Sequence, residues 1–334
     1  MCEQLASWAA FMRNSRPAFV VASDRNTDSP HVAILLAVRN GARFLSEQLQ
    51  SYAEQTHPNW SVHVSDDGSS DGTHDIIQDF AGGVPQEVTL RCGPRTGAAA
   101  NFLSLLCDGK IEADYFAFSD QDDIWYAEKL GRAINMLRTV PRDQPALYCS
   151  RTELIDEAGR HLGYSTAFKR PPSFRNALVQ NVGGGNTMVF NRLAGDLLRH
   201  VPDEIVVAHD WMTYLTVSAA GGMIFYDQTP SVRYRQHRDN LVGSNLGFQA
   251  AVHRAKKILA GQWRGWNSLN VTALMHHLSH RMTEENMSVL ERFVEMRLAE
   301  SLPRRLWNLW RSGVYRQTPL ANLAMLLAVI ANKV

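Results

Sequence analysis

The sequence predicts an α/β fold: an open, mixed but mostly parallel sheet flanked by helices, with a helical C-terminal appendage. Three observations predict it. Strand-like and helix-like segments alternate four times between residues 32 and 137. Two acidic clusters, at 66–71 and 120–123, each follow directly on a strand-like segment. From residue 246 to 334 the pattern is helical, interrupted only by short polar loops.

Residues 1–29 read as an extension that closes with the turn-rich Arg25-Asn26-Thr27-Asp28-Ser29-Pro30. The run 32–38 is continuously apolar and rich in branched residues, as suits a parallel strand buried on both faces. After Asn40-Gly41, a helix is expected with Phe44, Leu45, Gln48, Leu49 and Tyr52 on one face. Residues 61–64 form the next strand and run into Asp66-Asp67-Gly68-Ser69-Ser70-Asp71-Gly72-Thr73, with a helix starting at Thr73. Strand 88–91 is followed by helix 98–106, and strand 115–118 by Ser119-Asp120-Gln121-Asp122-Asp123 and helix 128–137.

Beyond residue 150 the alternation becomes irregular. Gly183-Gly184-Gly185 precedes a short strand at 187–190, and His209-Asp210-Trp211 opens a helix. Two further strands are expected at 223–226 and 232–234. The chain thus divides into an extension (1–29), an α/β domain (30–245) and a helical region (246–334).

Composition removes several classes. With 334 residues, 45% hydrophobic and 20% charged, the chain is an ordinary globular protein that can bury a large core. A net charge of +1 gives no global field for nucleic acid or an acidic partner. Cys2, Cys92, Cys107 and Cys149 form no CxxC pair, so neither a zinc nor a redox motif is indicated, and a reducing compartment is expected. No apolar run reaches the roughly 20 residues of a spanning helix, and no secretory signal is visible. The expected location is cytoplasmic, with any membrane attachment peripheral and on the inner face.

Both acidic clusters sit where ligands bind in open α/β sheets, beyond the carboxyl ends of strands. Three carboxylates within residues 120–123 repel one another and need a cation or hydrogen-bond donors to share the site. A divalent cation with oxygen ligands meets that need and leaves positions open for diphosphate oxygens. The alternative is a solvated loop at a helix N-terminus. The apolar flanks Phe116, Phe118, Ile124 and Trp125 argue against it.

A set of motifs, in order, carries a family resemblance. It comprises Leu36-Ala37-Val38-Arg39-Asn40-Gly41, the turn 65–73, and Gly97 with Asn101-Phe102. It continues through Phe118-Ser119-Asp120-Gln121-Asp122-Asp123-Ile124-Trp125 with Lys129-Leu130, then Gly185-Asn186-Thr187. His209-Asp210-Trp211 and Tyr234-Arg235-Gln236-His237, with Asn240 and Gly243, complete it. Residues 31–245 thereby resemble the inverting glycosyltransferase family 2, of GT-A fold, and within it the bacterial rhamnosyltransferase-type members. Two positions depart from the family pattern. Arg39 stands where an aromatic residue is usual, and Tyr126 where a proline follows the Ile-Trp pair.

The resemblance implies roles residue by residue. Asp67 would accept a hydrogen bond from a pyrimidine ring, while Asp66 supports the turn. Ala37, Arg39, Asn40, Arg95, Asn101 and Gln121 would line the nucleotide and donor site, with Asp120 near the ribose. Asp122 would ligate Mg2+ or Mn2+ bridging the diphosphate, with His237 as a further ligand or a diphosphate contact and Asp123 substituting or orienting a neighbour. Gly185 and Asn186 would let backbone approach the donor sugar. Asp210 would be the general base, with His209 shaping the site, Trp211 a supporting residue, and Arg235 offering positive charge near His237. Without the resemblance, Asp67 also reads as a turn residue, Asp210 as a first-turn helix carboxylate, Arg95 as a surface arginine and Gly184-Gly185 as a tight turn.

The expected reaction is transfer of L-rhamnose from dTDP-β-L-rhamnose to a hydroxyl of a bacterial cell-surface glycan or lipid-linked acceptor. A UDP-sugar donor, a sugar nucleotidyltransferase and an inactive sugar-binding protein are the alternatives. Val38-Arg39-Asn40-Gly41 is a poor match to a nucleotidyltransferase phosphate loop. A glycoside hydrolase also uses paired carboxylates, but needs neither Asp67 nor a metal.

Residues 250–315 interleave His253, Arg254, Lys256, Lys257, Arg264, Arg281, Arg304, Arg305 and Arg311 with Trp263, Trp266, Trp307 and Trp310. That mixture suits an anionic headgroup region. It equally suits a helical subdomain packed on the α/β domain with tryptophans in the interface. No motif points to nucleic acid.

Overall fold

The first four strands, β1 (Val32–Val38), β2 (Trp60–Asp66), β3 (Val88–Cys92) and β4 (Tyr115–Ser119), pair in parallel in the order β3-β2-β1-β4. Parallel neighbours need crossover connections. These run through α1 (Leu45–Ala53), α2 (Thr73–Gly83) and α3 (Ala98–Leu106). This computed structural model describes residues 29–237 and 262–334. Most of the expected extension, with Cys2, lies outside the described residues. So do Asn240, Gly243, the basic residues at 253–257 and the expected boundary at 245.

β1 shows why the sheet holds. Val32, Ile34, Leu36 and Val38 face one buried cluster with Leu45, Leu49, Tyr52 and Val64. Ala33 and Leu35 face the other, with Phe102, Leu106 and Phe118. The period-2 alternation of a strand buries both faces at once. Truncating Leu35 to alanine would cost about 2–5 kcal/mol through lost burial and the cavity left behind.

The second half is mixed. It contains β5 (Ile124–Trp125), α4 (Lys129–Leu137), β6 (Ala146–Ile155), β7 (His161–Tyr164), α5 (Phe174–Ala177), β8 (Val189–Asn191), α6 (Arg192–Leu198), α7 (His209–Ala219) and β9 (Met223–Arg235). The nine-stranded sheet continues from β4 as β8-β6-β9-β5, with β7 paired to β6 off that path. β8 runs antiparallel to β4 and β6, β9 parallel to β6, and β5 antiparallel to β9.

Three differences from the sequence reading stand out. The two strands expected at 223–226 and 232–234 are one strand, β9, with a register shift opposite Ser150 and Thr152. The turn-like Asp227-Gln228-Thr229-Pro230 between them rides over that irregularity. The short strand begins at Val189, because Gly185–Thr187 forms a 3-10 turn. β5, β6 and β7 were not expected; β6 is almost wholly buried.

The C-terminal helices are α8 (Gln262–Ala273), continued by a π-helical turn (Leu274–Leu278), then α9 (Glu284–Leu298), α10 (Leu302–Ser312) and α11 (Pro319–Ile330). Thr283 and Thr318 cap α9 and α11 through their side chains, as N-cap threonines do. Trp263, Val271, Leu274, Leu278 and Phe293 share one core with Met212 and Leu215 of α7. Asn286 Nδ2 donates to the carbonyls of Ser218 (2.9 Å) and Ala219 (3.1 Å) at the end of α7. The helices therefore pack on the α/β core, with Trp263 in that interface, whereas Trp307 and Trp310 face solvent. Among the described residues, no helix is long and apolar enough to cross a membrane.

Candidate active site

β1 pairs with β2 through Val38 and Asp66, and with β4 through Leu36 and Ser119. That register brings the turns after all three strands to one edge of the sheet. Side-chain bonds then tie the turns together. Gln121 accepts from the Arg39 backbone N–H (2.8 Å) and donates to the Arg39 carbonyl (3.1 Å). Asn40 Oδ1 accepts from the Ser70 N–H, and the Asn40 N–H donates to Ser69 Oγ, both at 2.8 Å. Gln121 and Asn40 thus hold loop against loop. Ala37 is half-buried opposite Ser65, and the Arg39 side chain is exposed.

The turn after β2 forms a small polar pocket. Asp66 accepts from Ser69 and, at 2.9 Å, from His74. Burial works to raise the Asp66 carboxyl, but these bonds outweigh it and hold the group below its ordinary value. This is the turn support expected of Asp66. Asp67 is buried, and its Oδ1 accepts from the Arg95 backbone N–H at 2.8 Å. Asn101 donates to the Ser65 carbonyl (3.0 Å), while its own Oδ1 is buried with no protein hydrogen-bond partner. A β-carbon on Gly93 would lie 2.5 Å from Asp67 Oδ1 and 2.6 Å from Asn101 Oδ1. The two side-chain oxygens therefore converge where only a glycine fits.

The acidic turn after β4 is anchored at its base. Ser119 Oγ accepts from Tyr52 (2.6 Å) and Gln48 (3.1 Å), both on α1. Asp123 is wholly buried and accepts from Asn186 Nδ2 (2.5 Å) and the Arg235 backbone N–H (3.0 Å). The buried Arg235 guanidinium donates to the Asp122 carbonyl (3.0 Å), the Glu157 carbonyl (2.7 Å) and Glu47 Oε2 (2.8 Å). It clamps the end of β9 to the acidic turn and to α1. Two residues on, His237 Nε2 lies 2.8 Å from Asp122 Oδ2.

Negative charge is concentrated here. Burial, then the carboxylates of Asp122 and Asp210, push Asp120 up to about 7. Burial, Asp122 and Asp120 together raise Asp123 well above the ordinary range, against its bonds from Asn186 and Arg235. Lys129 is wholly buried; its ammonium donates to the Asn186 carbonyl and lies 3.9 Å from the Trp125 ring centre. Burial holds Lys129 well below its usual value, while Asp123 and Asp120 favour its charged form.

The donor set suits a hard divalent cation. The Asp122 carboxylate and the His237 imidazole adjoin, and Asp120 is destabilised in its charged form by repulsion that a cation would relieve. Among the described residues, no group of three or more His, Cys, Asp or Glu side chains is placed to hold a metal ion. Mg2+ or Mn2+ held here would complete its shell with substrate oxygens.

Asp210 and His209 open α7. Asp210 Oδ1 accepts from the Trp211 N–H at 2.6 Å, and the Gly185 backbone and Asn181 side chain also bond the carboxylate. Burial still pushes Asp210 up to about 6. Trp211 anchors the helix by donating Nε1 to the Ala177 carbonyl (2.7 Å). His209 stacks on Phe102 (ring centres 4.0 Å apart), and its Nε2 is buried with no protein partner. Burial lowers His209 to about 3, so it is a neutral imidazole near pH 7. A β-carbon on Gly185 would sit 2.2 Å from His209 Nε2, so this loop can lie against α7 only as glycine.

The sequence-derived residues therefore gather in two adjoining groups: Asp67, Arg95 and Asn101 around Gly93, and Asp120, Asp122, Asp123, Asn186, Arg235 and His237 on the acidic turn. Gly185, His209 and Asp210 are joined to the second group, since Asp210 and Asp120 repel each other. The sequence reading gave no role to Lys129, Glu47, Glu157 or Asn181. Lys129 lies inside a quoted motif, which was a usable signal. The other three are brought in only by tertiary contact.

Comparisons with known proteins bear on the family and the fold. Residues 33–195 match the model of glycosyl transferase family 2. A dTDP-rhamnosyl transferase of Shigella flexneri is 30% identical over 229 residues, covering 66% of this chain and 77% of that protein. Among solved structures, a mannosyltransferase from Pyrobaculum calidifontis, in complex with GDP-Man and Mn2+, superposes with a TM-score of 0.50 at 19% identity. The match covers 99% of this chain and 92% of that one. TarS 1-349 of S. aureus, in complex with UDP-GlcNAc, gives 0.51 at 15% identity over 91% and 89%. At such identities the likeness shows the fold, which is the GT-A arrangement expected from sequence.

Proposed function

The chain belongs to glycosyl transferase family 2, and on that premise we propose an inverting, cation-assisted transfer of L-rhamnose from dTDP-β-L-rhamnose to a hydroxyl acceptor. The observation that carries this reading is Asp210. A carboxylate raised to about 6, held by the Gly185 loop and close enough to Asp120 to repel it, is tuned for proton abstraction near neutral pH.

Asp210 accepts the proton of the acceptor hydroxyl as that oxygen bonds to the anomeric carbon. The bond from that carbon to the diphosphate oxygen breaks, and its electron pair leaves with the diphosphate. Attack and departure on opposite faces give one displacement, hence inversion. Asp122 and His237 would hold Mg2+ or Mn2+, which would supply positive charge to offset that developing on the leaving diphosphate. Asp67 and the unpartnered Asn101 Oδ1 face the pyrimidine, Asp120 the ribose, and Gly185 with Asn186 the sugar.

The rhamnosyl donor is supported by the name of the Shigella flexneri relative. The acceptor is a cell-surface glycan or its lipid-linked precursor, met on the cytoplasmic side of the membrane. Residues 30–245 act as the catalytic unit and 246–334 as the accessory region.

Calorimetric titration with dTDP, UDP and GDP, each with and without Mn2+, tests the reading. We expect Mn2+-dependent binding of dTDP, then of dTDP-L-rhamnose. Preference for UDP would remove the rhamnosyl assignment. No binding of any nucleotide would overturn the donor site itself.

A further inference from the structure

The last two helices are turned partly inside out. In α10 the buried residues are the polar Arg305, Asn308 and Ser312, while Trp307 is 56% and Trp310 72% exposed. The two rings lie 5.1 Å apart. α11 carries no charge at all and buries Met325, Ala328 and Val329, leaving Leu320, Leu323, Leu327 and Ile330 in solvent. Of the fourteen large apolar side chains exposed among the described residues, nine lie between 298 and 330, so the effect is regional.

This geometry is built rather than frayed. The buried Arg305 guanidinium donates to the Val329 (3.1 Å) and Ile330 (3.2 Å) carbonyls, capping the end of α11, and to the Ala299 carbonyl (3.0 Å). Capping with arginine satisfies carbonyls that a helix end leaves open. It also locks the two helices together with their tryptophans and leucines outward. Thr318 caps the other end of α11, and a left-handed Gly313 (φ 64°) stops α10.

Charge identifies the occupant. Apart from the buried Arg305, residues 298–334 contain Arg304, Arg311, Arg316 and Lys333 against Glu300 alone. The exposed Arg304 and Arg311 flank the tryptophan pair along α10. Apolar side chains, indole rings and arginines on one short helix pair are what the headgroup boundary of an anionic bilayer accommodates. At 12 residues, α11 is about 18 Å long, too short to cross a core of about 30 Å. It can lie only in the plane of the surface.

We propose that the outer face of α10 and α11 is a docking surface for an anionic phospholipid bilayer. This goes beyond the catalytic reading and does not depend on which donor is used.

The test is co-flotation of the full chain with vesicles of phosphatidylcholine alone, and with vesicles containing about one-third phosphatidylglycerol. The expected result is association with the anionic vesicles, weakened when salt is raised from about 0.1 M to about 0.5 M. The double variant Trp307→Ser, Trp310→Ser should lower partitioning at least about tenfold. Leu323→Gln with Leu327→Gln should do the same, and both should keep the parent's thermal midpoint because the residues are exposed. Nucleotide titration on the same samples separates the two ideas, since loss of donor binding would not touch the docking surface. Three results would overturn the proposal. They are equal binding to both vesicle types, no binding to either, and a dimer dissolved by the same substitutions without vesicle association.

Discussion

Replacing Asp210 with asparagine should move activity and stability in opposite directions. Burial raises the carboxyl from the ordinary 3.8 to about 6, even though Trp211, Gly185 and Asn181 bond its ionised form. A displacement of that size is worth about 3 kcal/mol. The folded protein binds this proton more tightly than the unfolded chain. The associated stability is therefore complete below pH 3.8, declines as pH rises, and is gone above about 6. At pH 7.5 the wild-type protein folds around an ionised group that its surroundings disfavour. Asparagine keeps the shape and an acceptor oxygen but carries no charge, so the variant should be more stable by up to about 3 kcal/mol at pH 7.5 and by about half that at pH 5. Denaturant unfolding at both pH values measures this. Transfer should fall about 10²–10⁴-fold, while Mn2+-dependent donor binding stays within about twofold. In the wild type, kcat/KM should climb with pH to a plateau above about 6. A variant that is less stable at pH 7.5, or that keeps a tenth of the activity, would refute the reasoning.

Three further substitutions probe neighbouring parts of the site. Asp122→Ala or His237→Ala should each weaken dTDP binding in the presence of Mn2+ at least about tenfold and leave metal-free binding unaltered, as calorimetry would show. Gly185→Ala places a β-carbon 2.2 Å from His209 Nε2, so the loop must move. A stability loss of about 1–3 kcal/mol and a fall in kcat larger than any rise in KM are expected; wild-type kinetics would mean the loop is not fitted to α7. Lys129→Met removes the buried amine that donates to the Asn186 carbonyl. Thermal and denaturant melts should report a loss of about 1–3 kcal/mol from the carbonyl left without its donor, and an unchanged midpoint would refute a structural role for that bond.

The parallel half of the sheet was legible because each signal was local. The apolar run Val32–Val38, the caps of turn residues after it, and the helix face of Leu45 and Leu49 all fall within a few residues of one another. β6 was missed for a physical reason. Its sequence, ALYCSRTELI, mixes polar residues into a strand covered on nearly every side, so neither a period of two nor an unbroken apolar run announces it. β9 was read as two strands because Pro230 and its polar neighbours look like a turn and are in fact an irregular stretch against β6. In the site, the acidic clusters at 66–71 and 120–123 stood out as carboxylates at strand ends, whereas the roles of Asp67, Asp122 and Asp210 came from the family resemblance. Gln121 and Arg235 were expected near the donor. Their side chains are engaged with backbone and with Glu47, which no spacing in the sequence encodes.

The length of β9 bears on when the enzyme becomes competent. His237 and Asp122 are separated by 115 positions, and the contact exists only because β9 first pairs with β6 and β5 and carries Arg235 onto the acidic turn. β1 to β4, and the residues of the pocket around Gly93, are all synthesised by residue 119, long before that pairing is possible. In chain order, the residues proposed for the nucleotide are therefore all made before His237, the second of the two proposed cation ligands.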